Sequence, residues 1–183
     1  MELKEAIKNR RSIRKFDSKK VDNSIIKEIL YHGSLAPSGK NRQPWRFVVL
    51  QENEELKNKI ADIMIKKANE KINSGEENVT AGYTANIIKE APVFIAVFNT
   101  FNDKHLNSNL QSIGACIENI CLTATDMGFG SLWICDTDLA RKEIEDLLGK
   151  YDMTLVAGIS LGYPMQEPHA RPRISIEDLV EWR

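Results

Sequence analysis

The chain has 183 residues, a length that suits one domain with its own core, and its 25 basic and 26 acidic residues leave a formal net charge of −1. This balance gives the molecule no overall attraction for nucleic acid or an anionic membrane, so any basic site must be local. Three cysteines without CxxC spacing or a nearby histidine argue against a metal site and suit a reducing cytoplasm. No apolar run approaches the roughly 20 residues of a membrane helix, and the polar N-terminus is unlike a signal peptide. We therefore expect a soluble cytoplasmic protein.

The chain begins with a short amphipathic segment. Leu3, Ala6 and Ile7 recur at helical spacing and predict a helix over residues 2–9. Residues 10–14, of sequence Arg-Arg-Ser-Ile-Arg, then place three guanidiniums and one hydroxyl within five positions. Because a guanidinium can bind phosphate through two parallel hydrogen bonds, this cluster favours an anion site. These five residues leave a solvated basic turn open as the alternative.

Two helices are predicted around the first strand. One is capped by Asp22 or Asn23 and ends near Gly33. The other covers residues 53–72, and the apolar strand between them covers residues 47–50.

A polar loop precedes this strand and lies between two prolines, which restrict its backbone. Ser38, Asn41 and Gln43 in this loop can both donate and accept hydrogen bonds, a combination that suits the edge of a flat heterocycle. A turn whose side chains bond only their own backbone is the alternative.

The second half alternates strands and helices. The predicted strands cover residues 93–98, 131–135 and 153–161, and the predicted helices cover residues 107–127 and a segment capped by Asp136 or Thr137. Residues 73–86 lack periodicity and are predicted to form a mobile connection. The long helix has apolar or small residues on more than one side, which predicts packing against the sheet and against another helix or subunit. An apolar C-terminal tail needs a surface to cover it.

The sequence lacks the motifs of several common nucleotide-binding and catalytic sites. No GxGxxG or Walker loop follows a predicted strand, so neither a Rossmann dinucleotide site nor a P-loop is supported. The three histidines, His32, His105 and His169, are scattered and support no Ser-His-Asp arrangement.

Three stretches in order make the chain resemble the FMN-dependent nitroreductase family. They are residues 10–14, residues 37–45 before the first strand, and Gly-Phe-Gly-Ser-Leu-Trp at 128–133. Gly-Tyr-Pro at 162–164 and Arg-Pro-Arg at 171–173 extend the match over nearly the whole chain. The resemblance implies an α+β, three-layer fold with a central, mostly antiparallel sheet flanked by helices. It also implies a single FMN-binding domain over residues 1–183, an intertwined homodimer with FMN at the subunit interface, and a tail from about residue 165 that reaches over the partner.

The resemblance assigns residues to the FMN site by position. Those for the phosphate are Arg10, Arg11, Ser12, Arg171 and Arg173, and the one near the pyrimidine of the flavin is Arg14. Those that would line the site from the other subunit are Pro37, Ser38, Gly39, Asn41 and Gln43, and those whose backbone would run along the isoalloxazine ring are Trp133, Ile134 and Cys135. Gly39 stands where many relatives have serine, which removes one hydrogen bond.

The implied activity is ping-pong hydride transfer from NADH or NADPH to the flavin, followed by two-electron reduction of a nitro compound, a quinone or a similar small electrophile. No side chain is assigned as catalytic, and Arg14 would favour flavin reduction electrostatically. One alternative is a flavin-binding, redox-sensing module with little turnover. Another is a polyanion binder that uses Arg10, Arg11 and Arg14, against which the near-zero net charge argues.

Overall fold

The computed structural model describes residues 1–77, 79–101 and 104–183. The helices are α1 (Leu3–Asn9), α2 (Asn23–Ser34), α3 (Glu54–Asn73), α4 (Ala81–Glu90), α5 (Leu106–Asp126), α6 (Arg141–Leu147) and α7 (Ile176–Leu179). The strands are β1 (Trp45–Leu50), β2 (Val93–Asn99), β3 (Gly130–Ile134) and β4 (Thr154–Gly162).

The four strands form one sheet in the order β1-β2-β4-β3, and every neighbouring pair is antiparallel. All residues of β2 are buried, as its unbroken apolar sequence predicts for a strand covered on both faces. The predicted α+β class with an antiparallel central sheet is therefore confirmed.

Helices cover both faces of the sheet and make two separate cores. On one face, Ile117 of α5 and Ile29 of α2 pack against Ile95 of β2. On the other face, Ile60 of α3 and Ile88 of α4 pack with side chains that point the opposite way from β2 and β4. The result is a three-layer arrangement, helix on sheet on helix.

Local sequence explains where two helices begin. The Asp22 carboxylate accepts from the Ser24 backbone N–H at 2.8 Å, and the Asn53 side chain accepts from Leu56 N–H at 3.0 Å. The predicted cap at Asp22 is confirmed.

The long helix α5 ends at the glycine that the sequence predicts. Gly128 adopts φ +80°, which favours glycine, and Phe129 N–H reaches back to the Ala124 carbonyl at 2.7 Å. Glycine also sets the packing of α5, because a Cβ at Gly33 of α2 would lie 2.4 Å from the Ile120 side chain. The predicted packing of α5 against the sheet and another helix is confirmed.

Two predictions for the second half were wrong. Residues 81–86 of the predicted connection belong to α4, whose Ala85, Ile87 and Ile88 are buried against α3. Asn78 in that connection lies outside the described residues. Neither Asp136 nor Thr137 caps α6, because both lie in a 3-10 turn, Asp136–Ala140, that precedes this helix. The Asp136 carboxylate instead accepts from the hydroxyls of Thr80 and Thr84.

Among residues 1–77, 79–101 and 104–183, no helix has both the length and the apolar character needed to cross a bilayer.

Candidate flavin site

The arginine-rich stretch after α1 is held against the edge of the sheet by backbone hydrogen bonds. Ile13 N–H donates to the Ser131 carbonyl at 2.9 Å, so this segment lies along β3. A Cβ at Gly130 would lie within 2.9 Å of the Ile13 side chain, so glycine allows this close approach. Met165 N–H donates to the Lys15 carbonyl at 3.0 Å, which brings the start of the C-terminal tail beside the same segment.

This pairing creates a cavity of ≈ 560 Å³, which we call the arginine cavity. Its cationic lining residues are Lys8, Arg10, Arg11, Arg14, Arg171 and Arg173. Ser12 and His169 also line it, and none of its lining residues in the described part of the chain is acidic. The structure thus brings together all six residues that the resemblance assigned to the phosphate and pyrimidine end.

Three arginines of the cavity are fixed by specific contacts. Arg10 Nε lies 3.3 Å from Oε1 of Glu118 on α5. Arg11 Nη1 donates to the carbonyls of Lys8 and Arg10 at 2.7 and 2.8 Å, and Arg14 Nη1 donates to the Ser12 carbonyl at 3.1 Å. All three guanidiniums are therefore partly ordered, which lowers the entropy lost when they bind an anion.

Sequence reasoning did not identify Lys8, His169 or Glu118 as part of this region. Lys8 precedes Arg11 by three residues, so the two side chains lie on the same side of the chain where α1 ends. This spacing could have indicated that Lys8 lies near the arginines. Glu118 is more than a hundred residues from Arg10 in the chain, and only the packing of α1 on α5 brings them together.

The polar loop before β1 has an unusual backbone. Lys40, Asn41 and Gln43 have φ values of +54°, +54° and +49°, which are unfavourable for residues with a side chain. The Ser38 hydroxyl accepts from Gln43 N–H at 3.0 Å, and the Gln43 amide donates to the Asn41 side-chain oxygen at 3.1 Å. Some of the polar groups of the loop thus form hydrogen bonds within the loop itself, as expected if these residues form a turn that bonds its own backbone.

Within one chain, the loop before β1 and the arginine cavity lie beside different parts of α5. A Cβ at Gly39 would lie 2.8 Å from the Ser108 hydroxyl in the first turn of α5, whereas Arg10 pairs with Glu118. These two α5 residues are separated by about 15 Å along the helix axis, at 1.5 Å per residue. None of Pro37, Ser38, Gly39, Asn41 and Gln43 lines the arginine cavity of its own chain.

The three residues predicted to lie along the flavin ring, Trp133, Ile134 and Cys135, have side chains in different environments. Trp133 is 38% exposed and its indole lies over Gly114 of α5. Ile134 is buried in the core on the opposite face of the sheet, so it can offer a ligand only its backbone. Cys135 is exposed, and its thiol pKa is raised by partial burial and then by the carboxylates of Asp136 and Asp138.

The other two thiols are unsuited to chemistry at neutral pH. Burial raises the pKa of Cys116 to about 12 and that of Cys121 to about 11, and both side chains belong to the core beneath α5. In the described ranges of the chain, no three His, Cys, Asp or Glu side chains are grouped to hold a metal ion.

A larger depression, of ≈ 760 Å³, lies where α3 begins, but it is lined by Glu52, Glu54 and Glu55. Its negative charge would repel phosphate. The arginine cavity is therefore the better candidate for an anionic cofactor.

The model of the nitroreductase family matches residues 7–163. The chain is 27% identical over 179 residues to Bacillus subtilis YfhC, which is provisionally named an NAD(P)H nitroreductase; the match covers 96% of this chain and 91% of that protein.

Two solved structures are similar over the whole chain. A BluB-like flavoprotein from Clostridium difficile 630 superposes with a TM-score of 0.83 at 29% identity and covers 100% of this chain and 99% of its own. A protein from Desulfovibrio desulfuricans, provisionally named a nitroreductase and solved in complex with FMN, has a TM-score of 0.78 at 26% identity, with coverage of 100% and 98%.

Proposed function

Because the chain belongs to the nitroreductase family, we propose that it is an FMN-dependent oxidoreductase that transfers electrons from NADH or NADPH to a small electrophile. The acceptor class would be nitro compounds, quinones or similar molecules, with ping-pong kinetics. The observation that carries this proposal is the arginine cavity, in which an N-terminal and a C-terminal cationic segment converge. The flavoprotein relatives add support.

The chemistry of the cavity fits the phosphate end of FMN. A phosphate monoester carries nearly two negative charges at neutral pH and accepts several hydrogen bonds. Guanidiniums bind such a group through two parallel bonds, and Ser12 adds a hydroxyl donor. We infer that Arg10, Arg11, Ser12, Arg171 and Arg173 hold the phosphate.

When bound, FMN would supply reversible two-electron chemistry, and the chain would bind, orient and tune it. We infer that Arg14, at the same cavity, places positive charge near the flavin pyrimidine and stabilises the negative charge that reduction creates there. We infer that the backbone of Trp133, Ile134 and Cys135 lies along the ring system. The Trp133 indole, 38% exposed beside α5, would then limit water access to that region.

We further propose that the active form is a homodimer in which the 37–43 loop completes the partner's site. The separation of this loop from the arginine cavity within one chain supports the proposal, because residues of both groups would otherwise fail to meet at one ligand. The tail gives independent support, since Ile174, Ile176, Leu179 and Trp182 are all exposed in the single chain. A single-domain subunit whose tail covers its partner would bury them.

The decisive experiment is spectroscopic. The purified protein should be yellow with flavin absorption, and denaturation should release FMN. Under anaerobic conditions NADH or NADPH should bleach the colour, and a nitroaromatic or a quinone should restore it. A colourless protein that takes up no added FMN would overturn the proposal. Bleaching that no acceptor reverses would instead favour the redox-sensing module.

A further inference from the structure

An acidic side chain lies next to the cations of the arginine cavity. Glu118 of α5 forms an ion pair with Arg10, its Oε1 lying 3.3 Å from Arg10 Nε, and Glu118 itself does not line the cavity. The negative charge of this carboxylate would by itself weaken the binding of an anion. The proposed function gives Glu118 no role, so its place beside a phosphate site needs a physical reason.

The backbone that carries Arg10 is fixed at both ends. Arg10 N–H donates to the Ala6 carbonyl at 2.9 Å where α1 ends, and Ile13 N–H donates to the Ser131 carbonyl at 2.9 Å. Because these bonds hold the main chain, the freedom that remains to Arg10 lies in its side-chain torsions. Arginine loses more conformational entropy than most residues when its side chain is ordered. A contact that orders Arg10 in advance therefore favours anion binding.

The ion pair with Glu118 is formed at the inner nitrogen of the guanidinium. Arg10 also lines the cavity, and its side chain is 24% exposed. The two terminal nitrogens, Nη1 and Nη2, carry four further N–H donors, and two parallel hydrogen bonds to a phosphate oxygen pair need only part of them. Contact at Nε therefore orders the Arg10 side chain and leaves donors for a ligand.

The position of Glu118 is set by a well-packed part of the fold. It lies in the middle of α5, between Ile117 and Ile120, whose side chains are fully buried in the core. The Glu118 side chain is 44% exposed, but the backbone that carries it belongs to this helix. The contact therefore holds Arg10 against α5, which a pair between two surface loops would not do.

Glu118 has two effects on anion binding, and they have opposite signs. Its carboxylate repels a phosphate, whereas its contact with Arg10 orders a phosphate-binding donor. Water and salt screen the repulsion, because the Glu118 side chain is 44% exposed. The ordering of a donor that makes two parallel hydrogen bonds is not screened in this way. The favourable effect is therefore the larger one.

We propose that Glu118 is a positioning residue of the anion site, which holds the Arg10 guanidinium through the contact between Oε1 and Nε so that Nη1 and Nη2 face the phosphate. The inference rests on the proposed function, since this phosphate is that of FMN. Glu118 touches no part of the cofactor and acts only through Arg10.

The test is a titration of the apoprotein with FMN, followed by quenching of flavin fluorescence, in wild type and in Glu118→Ala. We expect Glu118→Ala to bind FMN about tenfold more weakly. Equal or tighter binding by Glu118→Ala would overturn the inference and leave the proposed function intact. Failure of the wild-type apoprotein to bind FMN would overturn the proposed function, and the inference with it.

A double-mutant cycle separates the orientation of Arg10 from a general effect on the fold. Because Glu118 acts through Arg10, Glu118→Ala should change FMN affinity by less than about twofold when Arg10→Ala is already present. The same loss of affinity in both backgrounds would show that Glu118 supports the fold and not the guanidinium, and would contradict the inference.

Two single variants complete the experiment. Glu118→Gln keeps the side-chain length and an oxygen for Nε but removes the repulsive charge, so its FMN affinity should stay within about threefold of wild type. A loss as large as that of Glu118→Ala would contradict the inference.

Glu143→Ala is the matched control, because Glu143 forms an ion pair with Lys67 at 2.6 Å, has a side chain that is 41% exposed and does not line the cavity. It should bind FMN as wild type does. If Glu143→Ala weakened FMN binding as much as Glu118→Ala, the effect would not depend on Arg10 and the inference would be wrong.

Discussion

Arg10 and Arg14 line the same cavity but make different contacts, and we expect their replacements to have different effects. Arg10 is braced by Glu118 of α5, whereas Arg14 bonds the backbone of its own segment. Under the proposed function, Arg10→Ala should mainly weaken FMN retention, by about 10–100-fold for a lost charge-assisted contact. Arg14→Ala should keep most of the FMN and instead slow reduction by NAD(P)H.

Flavin content per chain and anaerobic stopped-flow reduction measure these two effects separately. Arg141→Ala is the matched control, because Arg141, the first residue of α6, pairs with Asp138 at the surface and does not line the cavity. Equal FMN retention by Arg10→Ala and wild type would contradict the phosphate contact.

Lys57 is a buried cation that no sequence pattern identified. It is only 4% exposed, and its ammonium donates to the Ala91 carbonyl at 2.7 Å, at the end of α4. Burial lowers the pKa of Lys57, while Glu54 opposes this shift weakly. The position at a helix C-terminus partly offsets the loss of hydration.

The lowered pKa predicts a pH dependence of stability. Between the pKa of Lys57 in the folded protein and about 10.4 in the unfolded chain, the unfolded state binds the proton more tightly. The contribution of Lys57 to the free energy of unfolding therefore rises with pH across this interval. Urea unfolding of wild type and Lys57→Met from pH 7 to 10.5 should show their difference moving in favour of wild type.

Lys66→Met, at an exposed position of α3, is the control for replacing a lysine that is not buried. If the free energies of unfolding of wild type and Lys57→Met differ by the same amount at every pH, the pKa of Lys57 is not lowered by folding.

At the scale of elements, glycine decides how closely α2 approaches α5. A Cβ at Gly33 would lie 2.4 Å from Ile120 Cγ1 and 3.3 Å from the Cys116 carbonyl, so the helices would have to separate. Gly33→Ala should lower the free energy of unfolding by about 1–3 kcal/mol, the usual range for overpacking. Thermal or urea unfolding at fixed protein concentration measures it.

Gly82→Ala in α4 is the opposite case. Its added Cβ would meet the Ala68 side chain at 3.8 Å, an ordinary contact, and alanine lowers the entropy of the unfolded chain. We expect an increase of about 0.4–1 kcal/mol in the free energy of unfolding. Changes of the same sign in both variants would contradict the packing argument.

In the single chain, large apolar side chains of the C-terminal tail are exposed. Leu179 is 63% exposed and Trp182 is 91% exposed, although both are large hydrophobic side chains. Under the proposed homodimer, wild type should sediment at twice the 20.8 kDa of the chain. The double variant Leu179→Ser with Trp182→Ser should shift toward monomer by about tenfold or more in dissociation constant and lose FMN with it.

Tyr151→Ser is the control, because Tyr151 is 74% exposed but lies in the turn between α6 and β4. A wild-type monomer at every concentration, with FMN fully bound, would contradict the shared site.

The sequence predicted most helices and strands because their patterns are local. The unbroken apolar run of β2, the carboxylate at Asp22 and the glycine at Gly128 each act on their own segment, so spacing alone located them. Helix α4 was not predicted because Gly82 and Thr84 obscure its period, and burial against α3 stabilises it instead. The arginines that we propose to bind phosphate were assigned this role only through a resemblance, since a charge cluster by itself is also compatible with a solvated turn.

The sequence alone indicated most of the helices and strands, the start of α2, the end of α5 and two cationic segments far apart in the chain. Only the folded chain shows that these two cationic segments meet. The strand order β1-β2-β4-β3 and the pairing of Ile13 with Ser131 bring Arg10 and Arg173 to one cavity. Neighbouring residues determine local patterns. Contacts between distant segments depend on how the whole chain folds, which no short window of sequence shows.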